Sequence, residues 1–158
     1  MKIYRFGNQE KPATLLLPGT YCHWKLNFGE VIPLLEKDFH LLCVSYDGFD
    51  ETENTVFPDM LTETEKIEKY IREHFGGNIH AAYGCSLGGS FVRLLLQREN
   101  IHINHAILGS SNLDQDTAGK AKLKCAVAVP LMHRIVSTGE YPKIFRRAME
   151  KKRTPYLN

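Results

Sequence analysis

A serine lies between two glycines in the segment Gly84-Cys85-Ser86-Leu87-Gly88, a G-x-S-x-G pattern. An apolar run precedes it at 79–83 and a helical pattern follows it at 91–96, which predicts a strand-to-helix turn at the serine. Such a turn presents a hydroxyl above the edge of a sheet, and the flanking glycines let the two backbones approach. Ser86 is therefore a candidate nucleophile. The alternative is that Ser86 only N-caps the helix in a glycine-rich turn.

Four short apolar runs predict the strands that position this serine. They are continuously apolar, which is typical of strands in a parallel sheet covered on both faces. A fifth, peripheral strand is predicted at 2–6, and the four runs are 13–17, 41–46, 79–84 and 105–108. The sequence thus predicts an α/β fold, a doubly wound and mostly parallel sheet of four to five strands with flanking helices. The turns carrying Thr20, Asp47 and Ser86 should converge at the carboxyl ends of the strands.

Three helices are predicted between these strands. An apolar stripe at 28–35 predicts the first, which Pro33 limits to a short helix. The second has a candidate capping box, Thr62 with Glu65, and should stop at Gly76-Gly77. The third follows Ser86 and carries the stripe formed by residues 87, 91, 94 and 95.

Length and composition indicate one domain over 1–158, because 158 residues with 43% hydrophobic content can bury a single core. No apolar stretch approaches the length of a membrane span, and the alternating segment 1–6 differs from a signal peptide. The expected location is therefore the cytoplasm. Four scattered cysteines lack C-x-x-C or zinc spacing, so free, buried thiols are expected, with no metal or organic cofactor.

The C-terminal part has a different character. Residues 119–158 carry a net charge of +8, whereas residues 1–118 carry −6. Apolar residues interleave the basic ones, so a solvated helix face is favoured over a nucleic-acid site. The predicted helices are 120–129, 131–137 and 143–152, the last with Pro142 in its first turn. Two roles remain open for this helical segment, 113–158: a lid over the crevice or packing on the flank of the sheet.

The order of these parts resembles the front of the α/β-hydrolase superfamily, the fold of esterases, lipases and thioesterases. Residues 15–20 resemble its oxyanion strand and loop, 45–49 its next strand and turn, and 83–89 its nucleophile elbow. The resemblance covers roughly residues 13–112, and only the elbow is specific. It implies a serine hydrolase that acts on a small carboxylic ester or thioester through an acyl-serine intermediate.

The resemblance also implies roles for individual residues. Ser86 would be the nucleophile, and the backbone N–H groups of Leu87 and Thr20 would stabilise the oxyanion, with Tyr21 as the adjacent alternative. Pro18-Gly19 stands where family members often have His-Gly, a departure that leaves a main-chain donor intact. Residues 23–24, His-Trp, would line the pocket entrance, or else the tryptophan is packed and the histidine solvated.

A serine nucleophile needs a general base and a carboxylate that orients it. In the family the carboxylate and the histidine both follow later strands of the sheet, but the segment of this chain after the strand 105–108 looks helical. Asp114 and His133 fit the family order as an in-chain acid and base. The favoured expectation is that the chain is an N-terminal part of a longer hydrolase and is only weakly active by itself. Strand 105–108 would then be an open edge of the sheet, through which two copies could pair. The competing expectation is a catalytically silent α/β module that associates through this edge or through the basic tail.

Overall fold

A five-stranded sheet forms the centre of the computed structural model, which describes residues 1–111 and 118–138. The order is β1-β3-β2-β4-β5, and all pairs are parallel except β1 with β3. The predicted α/β fold with a mostly parallel sheet is confirmed. The strands are β1 Lys2–Phe6, β2 Ala13–Leu17, β3 His40–Ser45, β4 Asn78–Cys85 and β5 His102–Gly109.

The connections between the strands are helical, as predicted, with two differences. The helices are α1 Trp24–Phe28, α2 Ile32–Leu35, α3 Met60–Phe75 and α4 Leu87–Arg98. The stripe predicted as one helix is split, because Gly29 C-caps α1 and α2 begins at Ile32, with Pro33 in its first turn. The α3 N-cap is Asp59, whose carboxylate accepts the Thr62 N–H at 2.8 Å. The predicted capping box starting at Thr62 is therefore wrong. The predicted end of the helix at Gly76-Gly77 is confirmed, since Gly76 is the C-cap of α3 with φ 59°.

The C-terminal part contains one described helix, α5 Ala118–Thr138, which continues through Pro130 where two helices were predicted. Leu123, Val127 and Val129 are exposed on it. The predicted helix 143–152 lies outside the described residues. Residues 1–113 and 114–158 form two compact units. The role of the second unit as a lid or as flank packing stays a prediction.

Both faces of the central strands are covered, which explains their continuous apolarity. Leu15, Leu17 and Val44 belong to a core on the face that α3 and α4 cover. Trp24 and Phe28 of α1 pack against the other face. Full burial of each such side chain contributes about 1.5–3 kcal/mol. Strand β5 differs because its residues 104–108 are exposed, with Ile107 54% and Leu108 39% accessible.

A buried ionic cluster closes the loop after β3. The carboxylate of Asp47 contacts both the N-terminal ammonium of Met1 and the Lys66 ammonium. Glu63, fully buried, accepts the Asp47 N–H at 3.1 Å and lies 2.6 Å from Lys66 Nζ. Burial alone would raise the pKa of Asp47, but the hydrogen bonds from Lys66 and the N-terminal amine hold it well below its ordinary range. Asp47 thus anchors the N-terminus to α3.

Replacing Asp47 with asparagine should lower the free energy of unfolding by about 2 kcal/mol, because the Met1 ammonium loses its carboxylate and Lys66, which solvent screens in part, keeps only Glu63 as a partner. The folded-state pKa lies below the unfolded one, so the stabilisation is present above about pH 4 and lost as the pH falls further. Urea unfolding between pH 3 and pH 7 should show that the free energy of unfolding depends less on pH in the variant than in the wild type. The control is Asp38→Asn, at an exposed site, and equal losses in both variants would contradict this account.

Candidate active site

Ser86 occupies the turn between β4 and α4, and its backbone is strained. Its φ is 51° and its ψ is −109°, a positive-φ conformation outside the left-handed helical region, and such sparsely populated conformations cost on the order of 1–3 kcal/mol. The residue is exposed. Its N–H donates to the Gly109 carbonyl at 2.7 Å, and its own carbonyl accepts from Gly89 and Ser90. The side chain makes no capping hydrogen bond to α4, so the hydroxyl is not used as an N-cap.

The glycines around Ser86 are required because backbones touch there. A β-carbon at Gly84 would lie 2.1 Å from the Gly88 carbonyl oxygen, and one at Gly88 would lie 1.9 Å from the Leu17 carbonyl oxygen. Neither position can hold a side chain without moving a backbone. The G-x-S-x-G spacing therefore serves the close approach of β2, β4 and α4 that holds Ser86 in its turn.

The loop after β2 lies directly beside the serine. A β-carbon at Gly19 would lie 3.7 Å from Ser86 Cβ. The loop continues as a tight turn in which Cys22 N–H donates to the Gly19 carbonyl at 3.2 Å, with Tyr21 at φ 55°. Within residues 1–111, neither the Thr20 nor the Leu87 amide donates a hydrogen bond. Amides left unpaired beside a serine are available to a developing negative oxygen.

Asn27 is a site residue that the sequence analysis missed. Its Oδ1 accepts the Gly19 N–H at 2.7 Å, which joins α1 to the loop beside Ser86. This bond occupies the Gly19 amide, whereas the next two amides, at Thr20 and Tyr21, donate to no acceptor in the part of the chain that the structure describes. No local pattern marks Asn27, because its partner is set by the packing of α1 on the sheet.

His23 and Trp24, which follow the loop beside Ser86, each contact other groups in the structure. Trp24 is buried and packs against Tyr4, with ring centroids 5.1 Å apart. His23 is half-buried, and its Nδ1 accepts the Lys25 N–H while its Nε2 lies 3.9 Å from a carboxylate oxygen of Asp50. Burial would raise the pKa of Asp50, but hydrogen bonds from residues 52 and 4 hold it well below its ordinary range. Both ring nitrogens of His23 thus have partners other than Ser86.

The predicted acid and base lie beyond the described side chains. Asp114 is outside the described residues, and His133 belongs to α5 but its side chain is not described. Among residues 1–111, no hydrogen bond joins the Ser86 hydroxyl to a histidine. Those residues and the described part of α5 also contain no group of three acidic, histidine or cysteine side chains that could hold a metal ion.

A cavity of about 610 Å³ lies on the face of the sheet that α1 and α2 partly cover. Its walls are mainly apolar, and the rings of His80 and His105 meet in it with centroids 5.0 Å apart. Cys85 lines it but Ser86 does not.

The four cysteines are free, and only Cys43 is buried, where burial raises its pKa to about 12. Across the described ranges, no helix is long and apolar enough to cross a membrane.

Comparisons with known proteins agree with this architecture. A family model described as the alpha/beta hydrolase fold matches residues 13–128. The chain is similar to an alpha/beta hydrolase family protein from Desulfitobacterium hafniense, with TM-score 0.75, 21% identity, and coverage of 89% of this chain and 55% of that one. It is also similar to a lipase-esterase related protein from Clostridium acetobutylicum, with TM-score 0.63, 21% identity, and coverage of 91% and 56%.

A third similar structure is the thioesterase domain from the curacin biosynthetic pathway, with TM-score 0.61, 17% identity, and coverage of 99% of this chain and 58% of that one. Among curated proteins, none matches the sequence. The chain spans slightly more than half the length of each of these three structures. At these identities the structural likeness establishes the fold alone.

Proposed function

The chain belongs to the alpha/beta hydrolase fold family, and on that premise we propose that it is a serine hydrolase that cleaves a small carboxylic ester or thioester through an acyl-Ser86 intermediate. The Ser86 oxygen attacks the carbonyl carbon while a general base takes its proton. The amides of Leu87 and Thr20, or of Tyr21 next to it, receive the negative oxygen of the tetrahedral intermediate. The alcohol or thiol then leaves with a proton, and water releases the acid from Ser86.

One observation carries this proposal: an exposed serine held at φ 51° beside a loop with unpaired amides. Strained backbone persists where the surrounding structure over-determines it, and such positions cluster at functional sites. Asp114 as acid and His133 as base remain part of the proposal, as does weak activity of these 158 residues. The cytoplasmic location likewise stays a prediction.

Covalent labelling tests the proposed chemistry directly. A fluorophosphonate probe should react with the folded protein, and peptide mapping should locate the adduct on Ser86. Urea-unfolded protein should not react, because the reactivity depends on the folded turn. Labelling of a different serine, or equal labelling of the unfolded chain, would overturn the assignment of Ser86.

Association through β5 is a second candidate function. The strand is an edge of the sheet, and its exposed apolar residues Ile107 and Leu108 favour pairing with the same strand of a second copy. Sedimentation velocity should then show a dimer that Ile107→Lys dissociates. A monomer at all concentrations would exclude this pairing and leave the hydrolase proposal untouched.

Asn27→Ala tests the loop beside Ser86. The variant removes the acceptor of the Gly19 N–H, a loss worth about 1–2 kcal/mol. We expect kcat/KM for p-nitrophenyl acetate to fall about tenfold, mainly through kcat, because the loop amides act on the transition state. The control is Asn54→Ala, at an exposed position. A change in KM alone would show that Asn27 shapes the substrate site and not the oxyanion donors.

A further inference from the structure

The side chain of Tyr21 is held out in solvent next to the candidate site. The residue is 77% exposed, and its backbone has a positive φ of 55°. One face of the ring stacks on Phe49, with centroids 5.8 Å apart and an interplanar angle of 22°. The packed face fixes the plane of the ring, and the high exposure leaves the ring surface open.

Tyr21 is the outermost member of an aromatic row that begins in the core. Phe49 lies 5.5 Å from Phe57 and meets Tyr46 edge-on at the same centroid distance. Tyr46 is buried and stacks on Phe91 of α4 at 4.5 Å. We call Tyr21, Phe49 and Phe57 the aromatic platform. Because it is packed on the fixed ring of Tyr46, the platform is preorganised before any ligand arrives.

The aromatic platform is joined to the loop that packs against Ser86. Gly19 packs against Ser86, and Tyr21 follows Gly19 by only two residues, a span of at most about 7.6 Å between their Cα atoms. Tyr46 also donates a hydrogen bond from its hydroxyl to the Pro18 carbonyl at 3.4 Å. The loop that offers the oxyanion donors and the platform are therefore one connected unit.

We propose that the aromatic platform is a specificity subsite that receives an aryl group carried within one or two atoms of the substrate carbonyl. This inference rests on the proposed function, since it extends the substrate class from small esters and thioesters to aryl-bearing ones. A planar ring can stack on the exposed face of Tyr21 and gains the offset-stacked interaction that a puckered saturated ring of similar size does not. The stacked rings of residues 21 and 49 should therefore favour substrates whose ring is planar as well as apolar.

Binding of unreactive amides tests the platform independently of catalysis. N-benzylacetamide and N-(cyclohexylmethyl)acetamide differ only in the ring, which is flat and aromatic in the first and puckered and saturated in the second, and NMR titration gives a Kd for each. We expect the benzyl compound to bind roughly fivefold more tightly to the wild type and to Tyr21→Phe. Tyr21→Leu, which keeps an apolar side chain without a flat face, should bind the two equally.

The outcomes separate the two proposals. A benzyl preference that Tyr21→Leu removes supports the platform, even if the fluorophosphonate probe fails to label Ser86 and the hydrolase proposal is lost. Equal binding of both amides by the wild type, a preference that survives in Tyr21→Leu, or no measurable binding of either amide would overturn the platform. Chemical-shift spectra of each variant confirm that it is folded before its Kd is compared.

Discussion

Replacing Ser86 with alanine is expected to abolish fluorophosphonate labelling completely and to reduce ester hydrolysis to what the loop amides and binding alone supply. Removal of a nucleophile in a serine hydrolase eliminates the acyl intermediate, and only the effects of binding and of the oxyanion donors remain. The measurement is the time course of p-nitrophenol release from p-nitrophenyl acetate, which also shows whether an initial burst occurs. The burst should disappear in the variant.

Ser90→Ala is the matched control for this experiment, because the same side chain is removed one turn further along α4. It should retain labelling. Ser86→Gly provides a second reading, since glycine relieves the strain of the positive φ and should raise stability by about 1 kcal/mol while the activity is lost. Unchanged hydrolysis in Ser86→Ala would contradict the proposed chemistry whatever the stability change.

Gly88→Ala should have the largest effect on stability. The added β-carbon would lie 1.9 Å from the carbonyl oxygen of Leu17 and 2.9 Å from that of Pro18, so the end of β2 must separate from α4. Because both clashing groups are backbone, no side-chain rotation relieves the overlap. We expect a loss of more than about 4 kcal/mol in the free energy of unfolding, measured by urea denaturation followed by far-UV circular dichroism.

Gly119→Ala makes the same chemical change where nothing lies within 4 Å, in helix α5. It should leave stability unchanged or raise it by up to about 1 kcal/mol, as expected from helix propensity. Similar stabilities of the Gly88 and Gly119 variants would show that β2 and α4 can separate without cost, contrary to the packing described for the serine turn.

Local signals were sufficient for much of the fold. Continuous apolar runs located β2, β3 and β4, because strands covered on both faces need apolar side chains at every position. The start of β5 was missed since His102 and Asn104 are polar, as an exposed edge strand permits. At α3 the capping-box pattern predicted a start at Thr62, but Asp59, three residues earlier in the chain, caps the helix instead.

The candidate site was predictable only where its chemistry is local. The contact between Gly84 and Gly88 lies within one strand, turn and helix, so a short motif contains that information, whereas the contact of Gly88 with Leu17 of β2 is tertiary. Asn27 and the pairing of His23 with Asp50 depend on tertiary packing, and no spacing in the sequence indicates those contacts. The pairing of Asp47 with the N-terminus crosses 46 positions and was likewise not foreseen. The assignments of Asp114 and His133 stay predictions.

The hydrogen bond from Ser86 N–H to the Gly109 carbonyl has a consequence for biosynthesis. The turn is held by β2, which is made early, and by the end of β5, which is made 23 positions after the serine. Parallel strands joined by long crossovers pair slowly. On the ribosome, this turn therefore cannot be complete until residue 109 has left the exit tunnel and β5 has docked. If Ser86 is the nucleophile that we propose, a nascent chain should acquire probe reactivity abruptly and only after that point.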